Sequence, residues 1–192
     1  MNVLVVKGNN RPASESVSSK MYETFLEAIK DNKELNVTIY DVFAEDMPYV
    51  GQDLFNAFGK LQSGEELLDI EQRILTAKQK AKDAKLQTFI DYIWEAGYTF
   101  KYDEHGNLVQ LMKDKKIILL NARGGIYSTP ETAPMDMSVN YMRTAFGGLF
   151  GMEIIAEVVI EGHNADPARA EEIIADGLKK VTKAAKTLEL QL

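Results

Sequence analysis

The sequence contains no cysteine and only two histidines, His105 and His163. These absences exclude thiol catalysis, iron–sulfur clusters and cysteine-ligated zinc, and they disfavour a histidine-rich metal site. We therefore expect no metal centre. A chain without cysteine also suits a reducing compartment. The longest early apolar run, Val3 to Val6, is too short for a signal peptide or a membrane span, so the expected location is the cytoplasm.

Positive charge is also scarce. The chain has 22 Lys and Arg against 29 Asp and Glu, and its formal net charge is -7. Nucleic-acid binding depends on cations that neutralise phosphates, so this balance argues against a nucleic-acid partner and favours a small or neutral one. With 192 residues, 45% of them hydrophobic, the chain can bury a full core without disulfides. We predict one domain over residues 1–192.

Short apolar runs rich in β-branched residues alternate with amphipathic segments. Strands are predicted at residues 2–7, 37–41, 116–121 and 154–160, and a helix over residues 17–30 follows the first strand. Strand–helix–strand units with right-handed crossovers build parallel sheets that have helices on both faces. Further helices are predicted from Met135 to Phe150 and from Asp166 onward. The predicted fold class is therefore α/β.

Two segments depart from this alternation. Residues 98–102 and 108–111 flank a Gly-Asn turn, which predicts a β-hairpin. Residues 65–96 contain neither glycine nor proline, but their apolar stripe changes direction at residues 84–86. This change predicts two helices with neither a strand nor a turn between them.

Ligands of open parallel sheets bind beyond the carboxyl ends of the strands, which draws attention to the loop after Lys7. That loop contains Ser14, Ser16 and Ser18 before a helix, where hydroxyl groups, free N–H groups and the helix dipole can bind a phosphate. A role for Ser16 or Ser18 as a helix cap explains the same residues equally well. The loop is not a P-loop, because the Gly-Lys-Ser/Thr ending is missing.

The loop after Asn121 contains Arg123, Gly124 and Gly125. Two glycines let the backbone approach a flat ligand closely, and Arg123 adds a planar charged donor, although a plain structural turn is an alternative. His163 follows the last predicted strand, where it either serves a site or satisfies the backbone of the next helix. We find no Ser-His-Asp arrangement, no telling carboxylate pair and no HExxH motif, so no catalytic side chain is predicted. Any chemistry is expected to come from a cofactor.

Aromatic residues alternate in the first arm of the predicted hairpin. They either line an apolar slot for a planar substrate or pack as an ordinary strand. The residues are Tyr98, Phe100 and Tyr102.

Three motifs, in this order, resemble those of the FMN-dependent NADH azoreductases, which belong to the flavodoxin-like NAD(P)H:quinone oxidoreductases. They lie at residues 89–102, 122–127 and 160–164. The resemblance implies a flavodoxin-like three-layer domain around a central parallel sheet, and a homodimer with FMN at each interface. It also implies a ping-pong reaction in which NADH reduces the flavin, and the flavin then passes two electrons to a quinone or azo compound.

The resemblance also assigns roles to individual residues. Those assigned to the FMN phosphate are Asn9, Ser16, Val17 and Ser18. Those assigned to the flavin ring are Ala122, Arg123, Gly124 and Gly125. Those assigned to the substrate are Tyr102 and Tyr127, while either Phe146 or Phe150 faces the pocket.

The chain departs from the family pattern between Lys85 and Leu86. Relatives have a central strand there, with a Pro-Met/Leu-Trp-Asn-type loop that grips the flavin from the opposite side. Without that strand, its two neighbours would lie about 9.5 Å apart with unpaired backbone groups. We therefore expect a flavodoxin-like domain that lacks one central strand. This departure keeps a second hypothesis open, a flavodoxin-like dimeric binding or regulatory module without flavin.

Overall fold

The computed structural model describes residues 1–44, 52–73, 75 and 94–188. In these ranges the strands are β1 (Asn2–Lys7), β2 (Asn36–Asp41), β3 (Phe100–Tyr102), β4 (Leu108–Gln110), β5 (Lys116–Arg123) and β6 (Glu153–Glu161). The α-helices are α1 (Val17–Ile29), α2 (Gln52–Ser63), α3 (Val139–Met142) and α4 (Ala170–Lys186). Short 3-10 helices span Ala133–Met135 and Pro167–Arg169, and a π-helix spans Arg143–Leu149. The change of stripe predicted at residues 84–86 lies outside the described residues.

The strands form three pairs. β1 is parallel to β2, β5 is parallel to β6, and β3 is antiparallel to β4, as predicted for the hairpin. Within the described ranges, neither parallel pair gains a third strand.

The larger of two compact units contains residues 1, 11–35 and 99–192. In this unit α4 packs against α1 and β6, and α1 also contacts β5. The close approach of α4 to the sheet depends on Gly177, because a Cβ atom there would lie 2.3 Å from Cγ1 of Ile160. The buried apolar side chains of this core include Met21, Phe25, Ile29, Leu119, Val158, Ile160, Val181 and Ala185.

The smaller unit contains residues 2–10 and 36–98. Lys7 and Asp41, at the ends of β1 and β2, form an ion pair of 2.8 Å. The buried Glu71 carboxylate accepts hydrogen bonds from Lys60 Nζ at 2.8 Å and from the Leu68 N–H at 2.7 Å. Glu71 therefore satisfies the backbone before the first helical turn, as in a capping box. For this reason the helical residues begin at 69, not at Glu65 as the sequence predicts.

The helix predicted from Met135 to Phe150 is wrong in its first part. Residues 133–135 form a 3-10 turn, and the α-helix begins only at Val139, where the N–H donates to Asp136 Oδ1 at 3.0 Å. It then continues as the π-helix Arg143–Leu149. Strand β5 also extends two residues beyond the prediction, since Ala122 and Arg123 continue the ladder with β6. None of the helices in the described ranges is long and apolar enough to cross a membrane.

Candidate functional site

A buried ionic triad lies at the carboxyl ends of β5 and β6. Arg123 Nη1 lies 2.7 Å from Asp136 Oδ2, and its Nη2 lies 2.8 Å from Glu161 Oε2. Arg123 Nε also donates to Glu161 Oε2 at 2.9 Å, so all three guanidinium nitrogens contact carboxylates. The side chains of Arg123, Asp136 and Glu161 are only 15%, 8% and 18% exposed. The triad therefore links the end of each strand to the segment that precedes α3.

The three groups hold each other in their charged forms. Burial lowers the pKa of Arg123, but its hydrogen bonds to Asp136 and Glu161 outweigh this and raise it. The hydrogen bond from Arg123 is the largest cause of the lowered pKa of Asp136. Burial raises the pKa of Glu161, yet hydrogen bonds from Ser128, the Tyr127 N–H and Arg123 together lower it below its ordinary value. At neutral pH the triad thus carries one positive and two negative charges.

Arg123 was predicted to offer a charged donor to a planar ligand. In the structure its guanidinium is paired with two carboxylates and lies 5.1 Å from the centroid of the Tyr127 ring. Glu161 also accepts a hydrogen bond of 3.0 Å from the Tyr127 N–H. The Arg123 side chain therefore orients the loop that follows it. Its assignment to cofactor binding stays a prediction.

The glycine loop is fastened by its carbonyl groups. The Gly124 carbonyl accepts hydrogen bonds from the N–H groups of Asn164 and Ala165 at 3.1 and 3.2 Å, and the Gly125 carbonyl accepts one from Gly162 at 3.1 Å. The N–H groups of Gly124 and Gly125 donate to no atom in the described part of the chain. A Cβ atom on Gly124 would lie 2.2 Å from Asn164 Nδ2. The loop thus holds two backbone donors on residues that have no side chain of their own, with the Asn164 side chain beside Gly124 and the Tyr127 ring beside Gly125.

Two buried polar atoms beside this loop also lack partners among the described residues, namely Asn121 Oδ1 and His163 Nδ1. The Nδ2 atom of the same Asn121 amide donates a hydrogen bond to Ser138 Oγ at 2.9 Å. The hypothesis that His163 satisfies the backbone of the next helix fails for its Nδ1 atom. Buried polar groups are normally hydrogen-bonded, so these atoms indicate a place where a polar ligand can complete the bonding.

The serine loop adopts the predicted cap. Ser16 is the N-cap of α1, and its Oγ accepts the Ser19 N–H at 3.4 Å and lies 3.0 Å from Ser18 Oγ. Val17 is the first residue of α1, whose first turn contains no acidic residue. A capping role for Ser16 is therefore confirmed, and its role in phosphate binding stays a prediction. Asn9, predicted to join this group, lies in the smaller unit.

The aromatic hairpin has one buried ring and one exposed ring, and a slot for a planar substrate stays a prediction. Phe100 is buried, whereas Tyr102 is 62% exposed, and their rings meet edge to face at 5.9 Å. Phe146 and Phe150 are both buried and also meet edge to face at 5.9 Å. Tyr102 is thus available to a substrate, while both phenylalanines belong to the core of the larger unit.

A family model described as a flavodoxin-like fold matches residues 1–85 and 83–185. FMN-dependent NADH:quinone oxidoreductase 3 of Bacillus cereus is 42% identical, over 95% of this chain and 97% of that protein. The chain belongs to the FMN-dependent NADH:quinone oxidoreductase family. FMN-dependent NADH:quinone oxidoreductase 1 of Bacillus subtilis is 39% identical over 93% of this chain and 95% of that protein. The crystal structure of the azoreductase AzrA matches with a TM-score of 0.85 and 38% identity, over 97% of this chain and 100% of that one.

Membership in the FMN-dependent NADH:quinone oxidoreductase family confirms the resemblance and the flavodoxin-like fold predicted from the sequence. The two matches to the family model meet at residues 83–85, beside the Lys85–Leu86 junction where the family pattern is interrupted. The alignment with the Bacillus cereus relative runs over 204 positions, although this chain has 192 residues. About 182 residues of this chain, 95% of 192, take part in that alignment. About 22 of the aligned positions in the relative therefore have no counterpart in this chain. This family member therefore lacks residues that its relatives have.

Sequence reasoning missed Asp136 and Glu161, the two carboxylates that orient the glycine loop. Asp136 is 13 positions from Arg123 and Glu161 is 38 positions from it, so no local motif links them. The one available signal was the position of Glu161 immediately after the predicted strand 154–160; its pairing with Arg123 in the β5–β6 ladder appears only in the structure.

Proposed function

We propose that this protein is an FMN-dependent oxidoreductase that passes two electrons from NADH to quinones or azo compounds by a ping-pong mechanism. The observation that carries the proposal is the glycine loop of a member of this family, in which two backbone N–H groups have no partner among the described residues. The relatives are named for FMN, NADH and quinone, and a structural neighbour is named an azoreductase.

The polar groups of the site fit FMN. The isoalloxazine ring is flat and has hydrogen-bond acceptors on its pyrimidine side, which suits the N–H groups of Gly124 and Gly125, two residues that carry no side chain of their own. We assign the phosphate to Ser16, Val17 and Ser18 at the start of α1, where the first turn has no acidic residue and the helix dipole favours an anion. Asn9 is assigned to the same phosphate through the resemblance alone.

Bound FMN would supply the redox chemistry, as it takes up two electrons from NADH and delivers them to the second substrate. The protein's own task is positioning. Glu161 fixes the Gly124–Gly125 segment by contacting residues on both sides of it, the Arg123 guanidinium and the Tyr127 N–H. Ala122 and Arg123 are the last strand residues before this segment. Tyr102 and Tyr127 are assigned to the substrate, which they would cover with aromatic surface. No side chain is required as an acid or a base.

Steady-state kinetics test this proposal. Purified protein supplied with FMN is expected to oxidise NADH with a quinone acceptor. Double-reciprocal plots at several quinone concentrations should give parallel lines, because NAD leaves before the quinone binds. Intersecting lines would refute the ping-pong order, and an absence of turnover would refute the proposed activity.

Replacing both Ser16 and Ser18 by alanine is expected to weaken FMN binding by about 10-fold or more, because two hydrogen bonds to a charged group are lost. Riboflavin, which has no phosphate, should bind almost as it does to the wild type. Fluorescence titration of both flavins measures the difference.

The single variant Ser18→Ala is the matched control, since Ser16 alone caps α1. It should weaken the binding of FMN but not that of riboflavin. It should not show the stability loss of about 1 kcal/mol that removal of a cap causes. Equal losses for FMN and riboflavin in the double variant would refute the phosphate-binding role of both serines.

The same proposal includes a homodimer, a cytoplasmic location and a single flavodoxin-like domain over residues 1–192. Exposed apolar side chains after the glycine loop support the homodimer: they are Ile126, Met135, Met137 and Tyr141, which are 44 to 76% exposed. The single domain is supported by matches to one family model on both sides of residues 83–85. Analytical ultracentrifugation measures the oligomeric state.

The second candidate function is a dimeric binding or regulatory module without flavin. One observation favours it, the absence of about 22 positions that the Bacillus cereus relative has. The absence of flavin absorption after incubation with FMN would select this candidate.

A further inference from the structure

Gln110, the last residue of β4, joins the hairpin to the π-helix. Its side-chain amide Nε2 donates to the Gly148 carbonyl at 2.7 Å and approaches the Gly147 carbonyl at 3.4 Å. A main-chain bond lies beside this contact, from the Met112 N–H to the Phe150 carbonyl at 3.0 Å. The hairpin is thus attached to the end of the π-helix at the base of its second strand.

The Gly147 and Gly148 carbonyls do not form the hydrogen bonds that a continued π-helix would give them. A π-helix pairs each carbonyl with the N–H five residues later, which for Gly147 and Gly148 means the N–H groups of Met152 and Glu153. The Met152 N–H instead donates to the Phe146 carbonyl at 2.9 Å, and the Glu153 N–H donates to the Lys115 carbonyl at 3.0 Å. The Gln110 amide therefore supplies the bonding that the backbone of the π-helix does not.

Gly151 provides the space for this contact. Its φ of +84° is one that L side chains rarely adopt, and a Cβ atom there would lie 2.8 Å from Gln110 Cβ. Only a glycine at this position lets the chain turn after the π-helix while Gln110 lies against it. Two features that are independent of each other, the amide contact and the glycine turn, thus serve the same arrangement.

The attached end of the hairpin is two residues from the aromatic ring assigned to the substrate. In the β3–β4 ladder, Phe100 lies opposite Gln110 and Tyr102 lies opposite Leu108. The buried Phe100 ring packs on one side of Tyr102, whose own side chain is largely exposed. The direction in which the hairpin leaves the π-helix therefore determines where Tyr102 lies.

We propose that Gln110 is a positioning residue that fixes the hairpin on the π-helix and thereby sets the place of Tyr102 for a flat quinone-type substrate. This inference rests on the proposed function for its substrate. The attachment itself rests only on contacts within the larger unit. Gln110 acts through Tyr102 and not by contact with the reacting atoms.

The test compares Gln110→Leu with Asn107→Ala in the FMN-loaded full chain. Leucine keeps most of the side-chain volume and removes the amide. Asn107 is a matched control because its Nδ2 also donates a side-chain hydrogen bond in the hairpin, to Asp103 Oδ2 at 3.0 Å, but at the turn and away from the π-helix. Three readouts are measured: hydrogen exchange at the Met112 amide, FMN affinity, and KM and kcat for a quinone.

In Gln110→Leu we expect faster exchange at Met112, an unchanged FMN affinity, and a KM for the quinone about fivefold higher, as the loss of one hydrogen bond would give. Asn107→Ala should leave exchange at Met112 and the quinone KM near the wild-type values. Unchanged exchange in Gln110→Leu would overturn the attachment, and an unchanged KM, or an equal rise in KM in Asn107→Ala, would overturn the positioning role.

Failure of the proposed function is distinguishable from these outcomes. If the proposed function is wrong, the wild-type protein shows no turnover. If only the inference is wrong, the wild type is active and Gln110→Leu has the same Met112 exchange or quinone KM as the wild type. With an inactive wild type, exchange at Met112 alone decides whether Gln110 fastens the hairpin.

Discussion

Replacing Gly125 by valine is expected to abolish FMN binding and to leave the protein folded. A Cβ atom at this position would meet Tyr127 Cε2 at 3.1 Å, which is the edge of a side chain that can move aside. The branched side chain would cover the surface that offers the Gly124 and Gly125 N–H groups. The loss of two hydrogen bonds together with the steric overlap should lower the affinity for FMN by about 100-fold or more.

Flavin titration and urea unfolding of the same preparation measure the two parts of this expectation. Gly59→Val is a suitable control, because no atom of the described residues lies within 4 Å of a Cβ atom there and the residue belongs to α2. Gly124→Ala is the informative contrast, since its Cβ atom would lie 2.2 Å from Asn164 Nδ2 and should lower stability as well as binding. If Gly125→Val retained FMN, the assignment of the glycine loop to the flavin ring would be wrong.

Replacing Arg123 by methionine is expected to lower the free energy of unfolding by about 3 kcal/mol at pH 7, within the range for breaking a buried ion pair. Methionine restores much of the buried volume, so the loss arises mainly from charge. Asp136 and Glu161 would remain largely buried without the cation that pairs with both of them. Urea unfolding measures the difference from the wild type.

The pH dependence of this loss has a definite sign. In the folded wild type the pKa values of Asp136 and Glu161 lie below their ordinary values of 3.8 and 4.5. Their contribution is therefore complete above about pH 4.5 and is lost as the pH falls through the lower folded values. In Arg123→Met the two carboxyls gain protons more readily. The difference in the free energy of unfolding between wild type and variant should therefore be largest at neutral pH and should decrease in acid.

The exposed pair Lys179–Asp176 provides the control for this experiment. It has the same ionic contact, 2.8 Å, but its side chains are 78% and 57% exposed. Exposed pairs contribute little to stability, so Lys179→Met should unfold like the wild type at every pH. A loss in Arg123→Met that stays constant between neutral pH and acid would contradict the electrostatic explanation of the triad.

Local patterns predicted most of the fold. The β-branched runs located β1, β2, β5 and β6, the Gly-Asn turn located the hairpin, and the serines marked the start of α1. These features depend on residues close in the sequence. The interruption at Lys85–Leu86 was also visible in the sequence, as a shift of the apolar stripe beside the residues where the two family matches meet.

The features that the sequence could not predict depend on distant residues. The last two residues of β5 are strand because β6 pairs with them, and Arg123 is an ion-pair partner because folding brings Asp136 and Glu161 to it. The π-helix is similar, since its terminal carbonyls are satisfied by Gln110, 37 and 38 positions away. Of the candidate site, the sequence located the glycine and serine loops but not the contacts that orient them.

The most direct test of the central claim is an anaerobic titration of the purified protein after incubation with FMN and removal of unbound flavin. We expect one FMN per chain, bleached by one equivalent of NADH and restored by one equivalent of a quinone. A protein that stays colourless would contradict flavin binding and favour the binding-module alternative. A flavin that remains bound but is not bleached by NADH would contradict the proposed oxidoreductase activity.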